Sequence, residues 1–232
     1  TAGHLLGLDE EQMENALGIG FNQMSGSRQM AVGAATHMRS MQAGFSGQGA
    51  VMAALLAKNG IIGSKEIIEG RYGFFKTYIR GREPDWGRII DGLGENFPLI
   101  EKHGFKVWPA CAYTRTTNAA ILTLRQTHNL KPEDIDSITI IGGTGGTQLL
   151  CEPIELKRRP KVSIDGKYSI PFTSAIMAAK GSVTLRDYTE EGLNNPEVLA
   201  MADRVSYRPS MQPVAGKGGS ADISKTSVEI VT

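Results

Sequence analysis

Asp136-Ser137-Ile138-Thr139-Ile140-Ile141 is the stretch on which the fold class turns. β-Branched residues fill four of its six positions, and glycines follow directly at Gly142 and Gly143. Such a run packs well on a pleated surface and reads as a strand that ends in a glycine turn. Upstream of about residue 103 nothing similar occurs, and the periodicity there is helical. Asp9 stands before Glu10 and Glu11 as a helix cap with acids at the positive end of the dipole, and Met13, Leu17 and Phe21 follow at helical spacing. Residues 44–59 form an Ala-rich helix that stops at Gly60. A short helix is expected over 64–69, between a Ser64 cap and a Gly70 stop, and a weaker one over 85–93.

Downstream the pattern alternates. Residues 105–108 read as a short extended segment closed by Pro109, and 116–128 as an amphipathic helix with Ile121, Leu122 and Leu124 on its apolar side. Helices are expected over 170–180 and 196–205, each with a proline in its first turn, where the missing N–H costs nothing. Residues 225–232 alternate polar and apolar as a last strand, after a glycine- and lysine-containing loop at 213–220. The expectation is an α+β chain, with a helical domain over 1–103 and an α/β domain over 104–232.

The 232 residues carry a formal net charge of +1 and are 41% hydrophobic, enough apolar material for a sizeable core. Charge this close to zero argues against nucleic acid or an anionic membrane surface as partner, since phosphate binding needs a basic excess. No run of eighteen apolar residues exists to span a bilayer. Two cysteines, Cys111 and Cys151, make no disulfide framework or metal motif and fit a reducing cytoplasm. The chain starts at Thr1 with no basic-plus-apolar leader, and it is expected to be a piece of a longer protein.

Four segments, in this order and spacing, resemble the MmgE/PrpD family along nearly the whole chain. The first is Leu5-Leu6-Gly7-Leu8-Asp9-Glu10-Glu11-Gln12 with Ala16-Leu17-Gly18-Ile19-Gly20. The second runs from Ala43-Gly44 through Ala53-Ala54-Leu55-Leu56-Ala57 to Glu69-Gly70-Arg71-Tyr72-Gly73-Phe74-Phe75. The third is Lys106-Val107-Trp108-Pro109-Ala110-Cys111 with Pro132-Glu133-Asp134-Ile135. The fourth is Tyr168-Ser169-Ile170-Pro171-Phe172 with Gly181-Ser182-Val183-Thr184-Leu185. The resemblance implies an all-helical domain, here in part, and a smaller α/β lid with the active site between them. It implies a homodimer with no metal and no organic cofactor, acting on a small carboxylate. The family includes 2-methylcitrate dehydratases, cis-aconitate decarboxylases and iminodisuccinate epimerases.

Chemistry at an α-carbon needs a base, an acid, and cations for carboxylate charge. Lys106 matches the family's lid lysine in a Lys-x-aromatic-Pro motif. Its apolar neighbours would partly desolvate it, which suits proton transfer; the plain alternative is a surface lysine on an edge strand. Arg39 falls where the family commonly has a lysine five residues ahead of a glycine, here Gly44. It keeps a carboxylate clamp but cannot give up its proton. Gln42 stands where many relatives have histidine and can only hydrogen-bond. Cys111 stands where the decarboxylases have a catalytic histidine; a thiol there can transfer protons, or it can be a small buried hydrophobe. Tyr113 and Arg115 are nearby substrate-anchor candidates. Phe172 matches a tyrosine of the decarboxylases and lacks the hydroxyl. Ser169 beside it is a polar candidate whose simpler role is to cap the helix over 170–180.

Arg39, Gln42, Cys111 and Phe172 together depart from the decarboxylase pattern and argue against that mechanism. The expectation is a cofactor-free dehydratase of a hydroxylated di- or tricarboxylate of the 2-methylcitrate kind. An epimerase using Cys111 or Lys106, and a catalytically silent carboxylate-binding homologue, are the alternatives. The family's acidic and histidine motifs of the early helical domain are not in this sequence. The glycine run 142–147 lacks the Lys-Ser/Thr of a phosphate loop and reads as a mobile turn. Gly44, Gly47 and Gly49 read as small residues that let helices pack closely. Lys157-Arg158-Arg159 with Lys161 reads as a solvated basic face, with the alternative that it helps draw an anionic substrate to the cleft.

Overall fold

The computed structural model describes residues 1–24, 29, 36–79, 81, 83–97, 99, 104–143, 145–210 and 226–232. The loop expected at 213–220 and the boundary residue 103 lie outside them. The chain packs as two units: Thr1–Ser27 with Ser40–Gly104, and Arg28–Arg39 with Phe105–Thr232. Among the described residues no helix is long and apolar enough to cross a membrane.

The first unit is helical. A short α1 (Ala2–Leu5) leads into α2 (Glu10–Asn22), which starts where the sequence places it. The Asp9 carboxylate accepts from the Gln12 backbone at 2.8 Å, and the Gln12 side chain accepts from the Asp9 N–H at 3.2 Å, a reciprocal cap. The buried face of α2 differs from the expected Met13/Leu17/Phe21 stripe. Asn15, Ala16 and Gly18 are buried, and Leu17 is exposed. The reason is the close approach of residues 63–64: a Cβ on Gly18 would strike the Gly63 and Ser64 backbone, and one on Gly63 the backbone of Asn15. Gly63 N–H donates to the Asn15 side chain at 3.2 Å, and Asn22 donates to the Ser64 hydroxyl at 2.8 Å.

That second bond explains a correction. Ser64 serves as an acceptor for Asn22 instead of capping a helix, Glu66 turns to φ +52°, and 64–70 is a turn rather than a helix. The next helices are α3 (Met38–Lys58), α4 (Phe74–Tyr78) and α5 (Trp86–Ile90). α3 begins six residues before its expected start and buries Ala53, Ala54 and Ala57. Among the described residues no atom lies near the place of a Cβ on Gly44 or Gly47, so the close helix packing expected there is not seen between these residues.

The second unit is built around one helix. Its elements are α6 (Thr114–His128), β1 (Ser137–Gly142), α7 (Gly146–Cys151), α8 (Ile154–Arg158), α9 (Ser163–Lys167), α10 (Ile170–Lys180), α11 (Glu190–Leu193), α12 (Pro196–Asp203), β2 (Val205–Pro209) and β3 (Ser227–Val231). Residues 105–108, expected to be extended, form no strand and run into bends. Nine of the eleven residues of α10 are buried, so this helix is apolar on every side and other elements must surround it. α6, α12 and the central strand β1 contribute Ile121, Val198, Met201, Ile138 and Ile140 to the shared core. The C-terminal turn of α10 is closed by Gly181 at φ +74° and by Arg125, which donates to the Met177 carbonyl at 2.8 Å and places a cation at the negative end of the dipole.

The sheet order is β2-β1-β3. β1 runs parallel to β2, with Ile138 opposite Val205, and antiparallel to β3, with Ile138 opposite Ile230. The parallel pair needs a long crossover, which the helices from α7 to α12 supply. Val205, expected at the end of a helix, opens β2 instead: its side chain is fully buried and α12 stops at Asp203. The mixed helical and sheet content makes the chain α+β.

Candidate active site

The site is built at a corner between α9 and α10. Ser169 has extended backbone angles, and its hydroxyl accepts from the Phe172 N–H at 3.0 Å, the cap expected from the sequence. The same hydroxyl donates to the Lys157 carbonyl at 2.5 Å, which ties α8 to the start of α10. Lys157 returns across the corner, its ammonium donating to the Tyr168 carbonyl at 3.2 Å. On the ring side of Tyr168, the Arg39 guanidinium carbon sits 4.2 Å from the ring centroid, in the range of a cation–π contact. The loop holding Cys111 is pinned to the same place, since the Cys111 N–H donates to the Lys167 carbonyl at 2.9 Å.

Lys157 was not anticipated. The basic run 157–161 read as a solvated face, but it divides. Lys157 is 9% exposed, Arg158 donates twice to the Val205 carbonyl, at 2.9 and 2.6 Å, and Arg159 pairs with Asp203 at 2.6 Å. The signal lay in helix register. Once Pro153 precedes a helix, Ile154, Lys157 and Arg158 share one face and Leu156 points outward, which is where the structure puts them. Burial holds the Lys157 ammonium below the usual lysine range. Asp165 and Cys151 work against that shift, Arg39 adds repulsion, and Cys111 also opposes it. Cys151, fully buried, is a thiol that burial pushes far up, with Glu152 adding to the shift and Lys157 opposing it. It is a packed hydrophobe rather than a nucleophile.

The sequence-derived candidates divide accordingly. Arg39 reaches the corner at the Tyr168 ring and Cys111 through its backbone N–H on the Lys167 carbonyl, and Cys111 is half-buried. Tyr113 is half-buried, with its ring against Gly146 where a Cβ would otherwise stand. The glycine run expected to be a mobile turn passes into helix α7 at Gly146. Arg115 is exposed on the first turn of α6. Gln42 is exposed on α3, in the first unit. Ser169 and Phe172 have no exposed surface; they act as cap and core, and neither offers its side chain to a ligand in this unit. Lys106 is exposed, between Phe105 at 93% and Val107 at 72% exposure, so the flanking apolar residues do not desolvate it as expected.

Comparison with known proteins gives these positions a context. The model of the MmgE/PrpD N-terminal domain matches residues 1–87, and that of the MmgE/PrpD C-terminal domain matches residues 108–222. The chain is 28% identical over 221 residues to the cis-aconitate decarboxylase of Aspergillus terreus, covering 90% of this chain and 44% of that protein. It is 33% identical over 219 residues to the cis-aconitate decarboxylase-like protein oryM of Aspergillus oryzae, covering 89% of this chain and 44% of that one. The chain thus spans less than half the length of these relatives. With both domain models in order along the sequence, the chain belongs to the MmgE/PrpD family.

Proposed function

We propose that the whole protein is a cofactor-independent lyase that removes water from a small hydroxylated di- or tricarboxylate, of the 2-methylcitrate kind. In this reading residues 1–103 are part of the helical domain, residues 104–232 are the lid, and the protein is a cytoplasmic homodimer. The observation that carries it is the corner at Tyr168, where Arg39 on the ring and Lys157 on the carbonyl set two cations near the loop that holds Cys111. Two cations favour an anionic ligand, and they stabilise the charge that grows on a carboxylate when its α-carbon loses a proton. The lyase name of the A. terreus relative supports the reaction class.

Roles follow from chemistry. Arg39 stays protonated and clamps. Lys106, exposed at the end of a long side chain, meets the substrate and moves a proton. Cys111 is the second proton-transfer group. Arg115 and Gln42 contribute a charge and a hydrogen-bonding amide from exposed positions, and Tyr113 borders the same loop. Ser169 and Phe172 position the corner from beneath. The thiol favours one second reading, epimerisation at an α-carbon, since a thiol can return a proton to the opposite face. A panel of hydroxylated carboxylates separates these outcomes. Dehydration gives rising alkene absorbance in the ultraviolet, epimerisation gives solvent deuterium uptake without net change, and decarboxylation releases carbon dioxide. Alkene formation supports the lyase; no reaction with any member of the panel leaves a silent carboxylate-binding homologue and ends the proposal.

A further inference from the structure

We propose that Lys157 is a proton-linked anchor of this site: the carboxylate received by Arg39 also binds the Lys157 amine, and its arrival loads a proton from solvent onto that nitrogen. The inference rests on reading the Tyr168 corner as a carboxylate site. It assigns a role to a residue that the basic run of the sequence hides.

Three observations carry it. Lys157 is 9% exposed, yet the Tyr168 carbonyl is the acceptor for only one of the three N–H bonds an ammonium carries. Second, the charges facing it do not balance. Asp165 from α9 is the carboxylate that acts on Lys157, Arg39 from the start of α3 is a second cation, and Cys151 of α7 and Cys111 of the 105–113 loop bring thiols. Among the described residues, with Cys151 kept protonated by burial, two cations stand against one carboxylate. Lys167, the nearest lysine in sequence to the corner, lays its ammonium over the Tyr188 ring 5.6 Å away, and so engages another partner. Third, Lys157 is fixed in place. Its own carbonyl accepts from Ser169 and its amine donates to Tyr168, so backbone and side-chain tip are both tied to the corner.

An excess positive charge away from water is unfavourable, and it is relieved by losing a proton or by gaining an anion. Burial and the Arg39 charge both push Lys157 toward the first route in the free protein. A bound carboxylate supplies the second route, so Lys157 takes up a proton as the anion binds. Affinity for the anion is then highest below the depressed Lys157 value and falls as pH rises through it.

Isothermal titration of the chain with citrate tests this, in two buffers of unequal ionisation heat, at a pH above citrate's own last ionisation. Wild type is expected to take up a fraction of a proton per citrate. Lys157→Arg, whose guanidinium never deprotonates, keeps the affinity and loses the uptake. Lys157→Met weakens binding by roughly tenfold or more, the scale of losing a charge-assisted bond. Wild-type uptake persisting in Lys157→Arg would overturn the proposal, as would citrate binding to wild type without uptake or no binding at all. Turnover on the carboxylate panel is scored separately. Linked binding without turnover keeps this inference and removes the lyase reading; turnover with unlinked binding does the reverse.

Discussion

Ser169 shows how much one hydroxyl does. It caps α10 and holds the Lys157 carbonyl from a fully buried position, so nothing replaces it when it is lost. Ser169→Ala is expected to destabilise the chain by about 1–2 kcal/mol, read as a lower denaturant midpoint at unchanged slope. Lys106 makes the opposite prediction. Exposed as it is, Lys106→Ala should leave the denaturant midpoint unchanged and cut turnover of the whole protein by roughly a hundredfold, the scale of an acid–base group. Wild-type turnover in that variant would take Lys106 out of the site. At this scale the sequence is readable where the interaction is local. The caps at Asp9 and Ser169 lie three residues from their partners, and both stand as expected. Lys157 was hidden because its burial depends on the register of a five-residue helix and on a corner eleven residues away.

Elements fail to be legible for the same reason. The Ser64–Gly70 stretch has a cap, a stop and helical residues between them, but Asn22 engages the Ser64 hydroxyl and the preceding Gly63 N–H donates to Asn15, and the backbone turns instead. Val205 could extend α12 or open β2, and only the partner strand β1 decides, by burying its side chain. Glycines test this contrast directly. Gly18→Ala drives a methyl into the Gly63–Ser64 backbone, which cannot rotate away, and should cost about 1–3 kcal/mol. Gly44→Ala, inside α3 with open space around it, should instead stabilise by roughly 0.5–1 kcal/mol, because alanine loses less chain entropy in a helix. Equal thermal shifts in the two variants would contradict the packing described for α2.

On the scale of the molecule, the two units, each with its own interior, differ in how firmly they are built. The first relies on small-residue contacts and leaves Phe45, Tyr72 and Leu93 of its apolar side chains exposed; the second encloses α10. Acid stability of the second unit has an identifiable source in Asp187. Burial pushes its carboxyl up, but bonds from Lys180 at 2.7 Å and from the Thr184 N–H and hydroxyl at 2.7 and 2.9 Å outweigh burial and hold it below its ordinary 3.8. The charged form is therefore favoured by folding. Its contribution is complete above that ordinary value and is lost as pH falls through the lower folded one. Asp187→Asn should cost roughly 1.5–3 kcal/mol at neutral pH and flatten the acid limb of stability against pH. An unchanged limb would place the acid sensitivity elsewhere. The enclosure of α10 carries one more consequence. Its amide hydrogens can reach solvent only when the helices and strands around it come apart together, so in deuterated water the last protons to disappear from this chain should belong to Phe172 through Ala178.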